Sequence, residues 1–420
     1  MRRSLAWLRP VLLLAFTLLP ATLLAARSTR LPGDQLAVGH SRSLNESRGF
    51  ARQLTSQAEI GVDIISGYQW PDAAGIPIQA HGGAVLHHDG RYYWYGVKNS
   101  GFTYFNENNL LRLPRADILG INVYSSSDLV NWHEEGLALE MGHHKDLQAT
   151  EVVARPRVLY CEHTSKFVMW LHIDVQDLFM ARLGVAMADK PTGPFTYVHS
   201  FQPHGHDARD FTVFQDDDGT GYVFYCSEWN GRIRAARLDL DLANVQQHFA
   251  DILYGVSREA PVVFRAHDHY FMLVSGCNGF FPTEMEVYYA KEPLGQWTSM
   301  GNPAQIHQKR DHTKGYWAQP TAITPMPGGK EGEFILMMDQ WKQEDLATSG
   351  YVWLPFFVTK EQHTTVHTLQ STSVPEHRHH EVRCHVNWLD AWRIGTYVSN
   401  WLNGDISEAD EQPHLSAHTR

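Results

Sequence analysis

A short polar turn followed by a run of aromatic and β-branched residues recurs five times along the middle of the chain. The runs cover 91–96, 166–170, 221–225, 269–274 and 333–338. Residues of these types favour a pleated, half-buried surface, so each run predicts a β-strand. The turn signals Asp89-Gly90, Asp218-Gly219 and Gly328-Gly329 precede three of the runs and predict hairpins.

A second motif between the runs places an aromatic residue after a turn, as an outer strand would, at 127–132, 190–195 and 291–297. Five units of three or four strands each, with almost no helical periodicity, predict an all-β fold, a five-bladed β-propeller. A β-sandwich would use fewer strands than this length supplies. We expect the propeller over residues 67–358 and no second domain with a core of its own.

The N-terminal segment differs from the rest of the chain. Two arginines precede an apolar run over 11–19 and a small-residue stretch over 24–26, which predicts a signal peptide over residues 1–26. The run is too short and too interrupted by Pro20 for a comfortable spanning helix, and an uncleaved anchor is the alternative. We therefore expect a secreted or periplasmic protein with no membrane association beyond this segment.

Two further segments lack the strand pattern. Residues 27–66 are polar and weakly patterned, which indicates a linker or an N-terminal arm. The His-rich residues 359–420 do not look like closing strands and indicate an atypical, weakly ordered C-terminal tail.

The composition favours carbohydrate over nucleic acid as the partner. The 420 residues carry a formal net charge of −11 and no long tract of Lys and Arg that could bind phosphates. The 13 Trp, 17 Tyr and 19 Phe suit sugars, whose flat C–H faces stack on aromatic rings, although β-rich cores are aromatic as well. We expect a polysaccharide or oligosaccharide ligand, no nucleic acid and a monomeric protein.

The four cysteines, Cys161, Cys226, Cys277 and Cys384, form no CxxC and no metal-ligand spacing. We therefore expect no metal site, and no cluster of ligands supports a structural Ca²⁺ in the channel. In an exported protein four cysteines allow three disulfide pairings, between which the sequence does not choose. Cys226 and Cys277 stand in apolar runs and are expected to be small buried side chains.

Two carboxylates occupy equivalent places in neighbouring repeats. Asp210 and Glu259 follow Arg209 and Arg258, and each stands at the head of an apolar strand. The inner strands of a propeller begin near its central channel, so we expect both carboxylates to face one pocket. Buried carboxylates are costly unless they are satisfied, which favours a functional role. The alternative is that each forms a structural ion pair with its neighbouring arginine.

An ordered series of short motifs supports a more specific hypothesis. The motifs are IQAHGG (78–83), YYWYG (92–96), RP (155–156), VMWLH (168–172), RD (209–210), EAP (259–261), WAQPT (317–321) and YVWLP (351–355). In this order they resemble glycoside hydrolase family 43 and, within it, the exo-β-1,3-galactanase (galactan 1,3-β-galactosidase) branch. The family fold is a five-bladed propeller, in agreement with the repeat count.

The resemblance implies an inverting hydrolase, and we expect no cofactor because glycoside hydrolysis by this route needs none. Glu259 matches the general acid of the family, and Asp210 matches the carboxylate that orients the acid and favours its protonated form. His81 stands where most of the family carries the aspartate that acts as general base. The galactanase branch also lacks that aspartate and uses a glutamine to hold the attacking water, which Gln319 matches. We expect about 6.5–9.5 Å between Glu259 and Gln319 to leave space for the water.

Further side chains around the channel are predicted sugar contacts. They are His81, Arg209, Asn230, Asn278, Trp170 and Trp341. Asn230 and Asn278 follow strands, where an amide binds sugar hydroxyls or merely serves as a turn residue. For the two tryptophans, core packing is the alternative.

Two departures from the branch concern carboxylates that contact substrate there. Ala154 and Val97 stand where the branch usually carries glutamate. The loss of two carboxylates removes several hydrogen bonds to sugar hydroxyls, of which the charge-assisted ones are worth about 1.5–3 kcal/mol each, and this puts the identity of the sugar in question. Glu151 and Glu107 are the nearest replacements in the sequence.

Three functions fit these residues. The first is an exo-acting hydrolase of β-1,3-galactan or arabinogalactan side chains. The second is a family 43 hydrolase of other specificity, an arabinofuranosidase or β-xylosidase, and the third is a non-catalytic sugar-binding propeller. Because Glu259, Asp210 and Gln319 are retained together, we predict catalysis.

Overall fold

The computed structural model describes residues 63–105, 113–307, 309–360 and 382–394. The strands in chain order are β1 (Ile64–Ile65), β2 (His81–His88), β3 (Arg91–Asn99), β4 (Tyr104–Phe105), β5 (Pro114–Arg115), β6 (Ile118–Ser126), β7 (His133–Glu140), β8 (Val152–Cys161), β9 (Lys166–Asp174), β10 (Arg182–Ala188), β11 (Thr196–Phe201), β12 (Phe211–Gln215), β13 (Gly221–Ser227), β14 (Arg232–Leu238), β15 (Val245–Tyr254), β16 (Arg258–Ala266), β17 (His269–Gly276), β18 (Met285–Ala290), β19 (Thr298–Gly301), β20 (Gln319–Pro325), β21 (Glu333–Gln340), β22 (Gly350–Lys360), β23 (Val382–Val386) and β24 (Ala391–Trp392). Short 3-10 helices cover Pro203–Gly205, His312–Trp317 and Leu346–Thr348.

Each blade is a four-stranded antiparallel sheet. From the centre outwards the blades are β2-β3-β6-β7, β8-β9-β10-β11, β12-β13-β14-β15, β16-β17-β18-β19 and β20-β21-β22-β23. The innermost strands β2, β8, β12, β16 and β20 contact one another in a closed ring. The predicted five-bladed β-propeller is therefore confirmed.

The second strand of a blade is buried along most of its length because the blade lies between two neighbours. Nearly every residue of β9 and every residue of β13 is buried. Burial on both faces removes the need for polar alternation, which explains the continuous apolar runs in the sequence.

Blade five extends beyond the predicted domain end at residue 358. Strand β23 is its outer strand and pairs with β22 from Lys360↔Val382 to Phe356↔Val386. Strand β24 pairs with β1 through Ile64↔Trp392. The prediction of a weakly ordered tail is therefore wrong for residues 382–394. The pattern was missed because β23 has only five residues, of which two are buried, and so gives a weak alternation.

The other predictions on the chain ends fall on residues that the structure does not describe. The signal peptide over 1–26, the arm up to residue 62 and the segments 361–381 and 395–420 lie outside the described residues. Within the part that is described, no helix is both long enough and apolar enough to cross a membrane.

β-Bulges shape the channel end of the inner strands. Registers shift in β2, β8, β16 and β20, directly after His81, Ala154, Glu259 and Pro320. At three of the bulges a residue has a positive φ, namely Gly82 (62°), Arg155 (51°) and Ala260 (53°). A bulge bends its strand and redirects the neighbouring side chains, so the residues at these positions are aimed away from the regular sheet face.

Candidate active site

The predicted site residues, with the exception of Trp170, occupy two sets of segments on one face of the propeller. One set is the beginnings of the inner strands, and the other is the loops from the second to the third strand of each blade. The two sets meet because the strands are antiparallel: Glu259 pairs with Ser275 at the end of β17, and Gln319 pairs with Asp339 at the end of β21.

Glu259, at the start of β16, lies at the centre of this group. Its side chain is buried with 7% of the residue exposed. Oε1 accepts a hydrogen bond from Gln319 Nε2 at 2.8 Å, and Oε2 accepts one from Asn230 Nδ2 at 3.2 Å. Burial, followed by the nearby charge of Asp210, raises the pKa of Glu259 to about 8. The carboxyl group therefore holds its proton at neutral pH, as a general acid requires.

Asp210 has the opposite environment. Arg155 Nε lies 2.7 Å from Asp210 Oδ1, and the backbone N–H of Ala260 donates to Oδ2 at 3.1 Å. Burial opposes ionisation of Asp210, but the charge and the hydrogen bond of Arg155 lower its pKa below the ordinary value. The two carboxyl groups thus differ in protonation, one neutral and one ionised, because only one of them has a guanidinium partner.

The alternative of ion pairs with the preceding arginines is wrong. Arg258 forms an ion pair with Glu286, which lies on β18 of the same blade. Arg209 donates to the carbonyl of Leu178 at 2.8 Å and lies 3.5 Å from Asp174. Neither carboxylate of the predicted catalytic pair is therefore occupied by its neighbour in sequence.

Gln319 is in direct contact with the acid, so the expected spacing between Glu259 and Gln319 is wrong. The indole N–H of Trp341, which can only donate, gives its hydrogen bond to Gln319 Oε1 at 3.0 Å. This fixes the amide so that its NH₂ group faces Glu259. The contact is short because β16 and β20 are the inner strands of adjacent blades and their first residues converge on the channel. The distance between Glu259 and Gln319 cannot be read from the spacing of their motifs along the chain.

His81 is not available to a sugar, and its prediction as a substrate contact is wrong. The residue is 1% exposed. Its ring stacks on Tyr351 with centroids 5.6 Å apart, and Nε2 lies 3.3 Å from the carbonyl of Ala347. Burial lowers the pKa of His81 to about 4, so the imidazole is neutral. An uncharged, covered ring thus occupies the place that most of the family gives to a carboxylate base.

Two further predicted sugar contacts are structural. Trp170 is fully buried between blades two and three, and its indole N–H donates to the carbonyl of Leu242 at 2.8 Å. Its prediction as a sugar contact is wrong because the middle of a second strand is enclosed by both neighbouring blades. Arg209 is buried beneath the ring of Trp229, with Cζ 3.9 Å from the ring centroid. It supports the rim of the site and does not itself face a ligand.

Three predicted contacts remain at the surface of the site. Asn230 touches the acid, and Trp341 lines a cleft of about 590 Å³ beside Gln319. Asn278 is exposed, and its carbonyl accepts the backbone N–H of Phe281 at 3.2 Å as in a turn. Their contacts with sugar stay predictions.

Several functional residues were not predicted. Arg155, which forms an ion pair with Asp210, belongs to the RP motif but carries no predicted role, and the aromatic residues Phe280 and Trp317 line the cleft. Asp339 is 2% exposed and accepts the backbone N–H of Gly82 at 2.5 Å. It directly follows the fifth apolar run, so a polar residue ending a buried strand was the available signal.

The structure describes the surroundings of both departures from the galactanase branch and of Glu151, one of their two nearest replacements in the sequence. Val97 is buried and pairs with His81, and Ala154 pairs with His172. Glu151 Oε2 already accepts the backbone N–H of Gln176 at 3.0 Å. Glu107 lies outside the described residues.

Asp339 gives a pH-dependent stability that can be measured. Burial raises its pKa from 3.8 to about 7. The folded state therefore binds a proton more tightly than the unfolded state, and the stability of the wild type falls as the pH rises towards 7. The difference in unfolding free energy between Asp339→Asn and the wild type should therefore depend on pH. It is expected to favour the variant more at about pH 8 than at about pH 4. Thermal unfolding at both values checks this, and a difference that is independent of pH would contradict it.

The cysteines are all free thiols, and Cys277 lies beside the acid. Cys226 is buried as expected, whereas the expectation of burial is wrong for Cys277, which is exposed in the loop after β17. Asn230 Nδ2 donates to its Sγ at 3.2 Å. Although the residue as a whole is exposed, its thiol group is partly desolvated at the site, and this desolvation, followed by the nearby charge of Glu259, raises the pKa of Cys277 to about 11.

Alkylation of Cys277 is expected to inactivate the protein, because the added group occupies the space next to Glu259. The reaction should be slow at neutral pH and faster in alkaline solution, since the thiolate is the nucleophile. Cys277→Ser should keep its activity and resist N-ethylmaleimide. Full activity after stoichiometric labelling of Cys277, shown by peptide mass analysis, would contradict the placement.

Known proteins resemble the chain in both sequence and fold. The sequence model of glycosyl hydrolases family 43 matches residues 76–335. A solved β-1,3-galactosidase of family 43 is 30% identical, with 79% of this chain and 63% of that chain covered and a TM-score of 0.66. The exo-β-1,3-galactanase from Phanerochaete chrysosporium, solved with galactose, is 32% identical, with 70% and 64% covered and a TM-score of 0.61.

A curated relative, the xylosidase/arabinosidase 43A of Humicola insolens, is 43% identical over 54 residues, which are 13% of this chain and 16% of that protein. The chain thus spans less than two thirds of these relatives. The family match itself covers more than half of the chain and includes Asp210, Glu259 and Gln319. The chain belongs to glycosyl hydrolases family 43.

Proposed function

We propose that the chain is an inverting, exo-acting glycoside hydrolase that releases galactose from the ends of β-1,3-galactan or of arabinogalactan side chains. The observation that carries the proposal is the pair of unlike carboxyl groups in the channel. Burial and the charge of Asp210 raise the pKa of Glu259 to about 8, whereas Arg155 keeps the pKa of Asp210 low. Glu259 is the general acid, and Asp210 is the charge that keeps it protonated.

The chemistry follows from this pair. Glu259 gives its proton to the glycosidic oxygen as the bond between that oxygen and the anomeric carbon breaks. A water molecule adds to the anomeric carbon from the opposite face and loses a proton, so the released sugar has inverted configuration. Solvent returns a proton to Glu259. No redox step and no cofactor are needed.

The direct partner of Gln319 in this structure is the acid, Glu259. Its amide, oriented by Trp341, fixes the Glu259 carboxyl group through the 2.8 Å bond. A water molecule does not fit between two groups in direct contact, so Gln319 can hold the attacking water only if its amide leaves Glu259 when sugar binds. The leaving oxygen of the substrate would then replace the Gln319 amide as the hydrogen-bond partner of the Glu259 carboxyl group.

The sugar specificity is supported by the solved relatives, which are named as a β-1,3-galactosidase and an exo-β-1,3-galactanase. The neutral, covered His81 also suits the galactanase branch, which lacks the carboxylate at this place. The second candidate is an arabinofuranosidase or β-xylosidase, which the names of the curated relatives favour. We further propose, from the N-terminal pattern, that the protein is exported and meets its polysaccharide outside the cytoplasm.

The purified protein is expected to release galactose from β-1,3-galactan, and neither arabinose from arabinan nor xylose from xylan. Proton NMR during the first minutes should show α-galactose before mutarotation, because an inverting enzyme converts a β-linkage into the α-anomer. Initial β-galactose would contradict inversion. Release of arabinose or xylose in place of galactose would favour the second candidate, and no release from any of these chains would contradict catalysis.

A further inference from the structure

Trp229 presents one face of its ring to solvent next to the acid. It is 52% exposed and stands in the turn between β13 and β14, directly before Asn230, which contacts Glu259. The guanidinium group of Arg209 covers the other face, with Cζ 3.9 Å from the ring centroid. Phe179, 62% exposed, meets the ring edge-on at 5.4 Å. An indole that is supported from behind and open in front is arranged to stack on a ligand.

The turn that carries Trp229 is held in an unfavourable backbone conformation. Glu228, Trp229 and Asn230 have φ values of 54°, 55° and 63°, in the left-handed region that favours glycine. Side chains from other segments fix it. Asp207 Oδ1 accepts the backbone N–H of Glu228 at 2.8 Å, and Arg234 donates to the Glu228 carboxylate at 2.8 Å. Three strained residues in a row persist only where the surroundings determine them, and such strain concentrates at functional sites.

The acid divides the site into two unlike sides. Oε1 faces Gln319, behind which Ser275 is buried, and the cleft of about 590 Å³ lies on this side. Oε2 faces Asn230 and the rim that carries Trp229 and Phe179, neither of which lines the cleft. An exo-acting hydrolase needs an enclosed place for the terminal sugar and an open path for the rest of the chain. The cleft fits the first need and the rim fits the second.

We propose that the exposed face of Trp229 is the stacking platform for the sugar on the leaving-group side of the bond that is cleaved. The ligand is a hexopyranose, in galactan a galactose, whose C–H groups at positions 3, 4 and 5 form an apolar patch on one face of the ring. The platform rests on the proposed function. Arg209 and Phe179 are positioning residues that fix the orientation of the Trp229 indole through their contacts with it. Asn230, the next residue in the chain, donates a hydrogen bond to the acid.

The test compares two substrates that differ only on the leaving-group side, β-1,3-galactotriose and β-galactosyl fluoride. Trp229→Ala is expected to lower kcat/KM for the trisaccharide about tenfold, mainly through KM, which corresponds to about 1.4 kcal/mol of lost binding. The fluoride, which places no sugar on the platform, should be hydrolysed as by the wild type. Trp229→Phe should restore most of the loss, because a smaller ring still stacks.

Trp317→Ala is the matched control, since Trp317 is 51% exposed and lines the cleft on the other side of the acid. It should affect both substrates alike. An equal loss on both substrates in Trp229→Ala, or no loss on either, would overturn the platform. If the wild type cleaves arabinan or xylan instead of galactan, the proposed specificity for galactose is wrong. The role of Trp229 is then decided by the same comparison between an oligosaccharide of that sugar and the matching glycosyl fluoride. A wild type that cleaves no chain overturns the proposed function and the platform with it.

Discussion

Glu259→Gln is expected to lower kcat on β-1,3-galactan by about 10²–10⁴-fold, the usual contribution of a general acid. The variant removes the carboxylic acid proton of Glu259, which the proposed mechanism transfers to the leaving oxygen, while the volume of the side chain is kept. Binding of the oligosaccharide should survive, so KM should change much less than kcat. Steady-state kinetics on β-1,3-galactan and oligosaccharide binding by calorimetry measure the two quantities.

The leaving group distinguishes loss of the acid from general damage. Fluoride needs little protonation to depart, so Glu259→Gln should keep most of its activity on β-galactosyl fluoride. Glu140→Gln, at a side chain that is 63% exposed, is the matched control and should behave as the wild type. Equal losses on galactan and on the fluoride would show that Glu259 has another role.

Asp210→Asn is expected to combine a loss of stability with a shift in the pH profile. Arg155 is 6% exposed, and removal of its partner leaves a buried, unpaired charge, which costs about 3–5 kcal/mol in typical cases. The missing negative charge also lowers the pKa of Glu259, because that charge is the second cause, after burial, of its raised value. Activity requires protonated Glu259 and disappears as the pH rises through its pKa. The alkaline limb of the profile should therefore move to lower pH.

Asp217→Asn is the control for this variant, since Asp217 lies in the turn at the other end of β12 and its side chain is 91% exposed. Denaturant unfolding and the pH dependence of kcat/KM should both match the wild type there. An Asp210→Asn protein with reduced stability but an unshifted alkaline limb would mean that Asp210 is only the structural partner of Arg155.

The fold was readable from the chain because it repeats. Five apolar runs of similar length, each preceded by a polar turn, leave few architectures other than a propeller. Strand β23 escaped because two buried residues out of five give no clear period. Its place in blade five comes from pairing with β22, a long-range contact that sequence periodicity does not record.

The site was predictable as a set of residues but not as a set of contacts. Glu259 and Asp210 were found because carboxylates at the heads of apolar strands are unusual, and the structure brings both to the channel. Their contacts were not predicted, since Arg155 was not identified as the partner of Asp210 and Gln319 was expected at a distance from Glu259. Arg155 and Gln319 come from other blades, and the bulges that aim them do not show in the sequence. Trp170 was misjudged because its motif does not reveal that both faces of β9 are covered.

The most direct measurement is the titration of Glu259 itself. Carbon-13 NMR of protein with labelled glutamate carboxyl groups, with the signal assigned by its absence in Glu259→Gln, gives the pKa without reference to any substrate. A midpoint about 8 would show that the channel keeps a protonated acid at neutral pH. A midpoint near the ordinary value of 4.5 would mean that Glu259 is ionised there and would contradict its role as general acid.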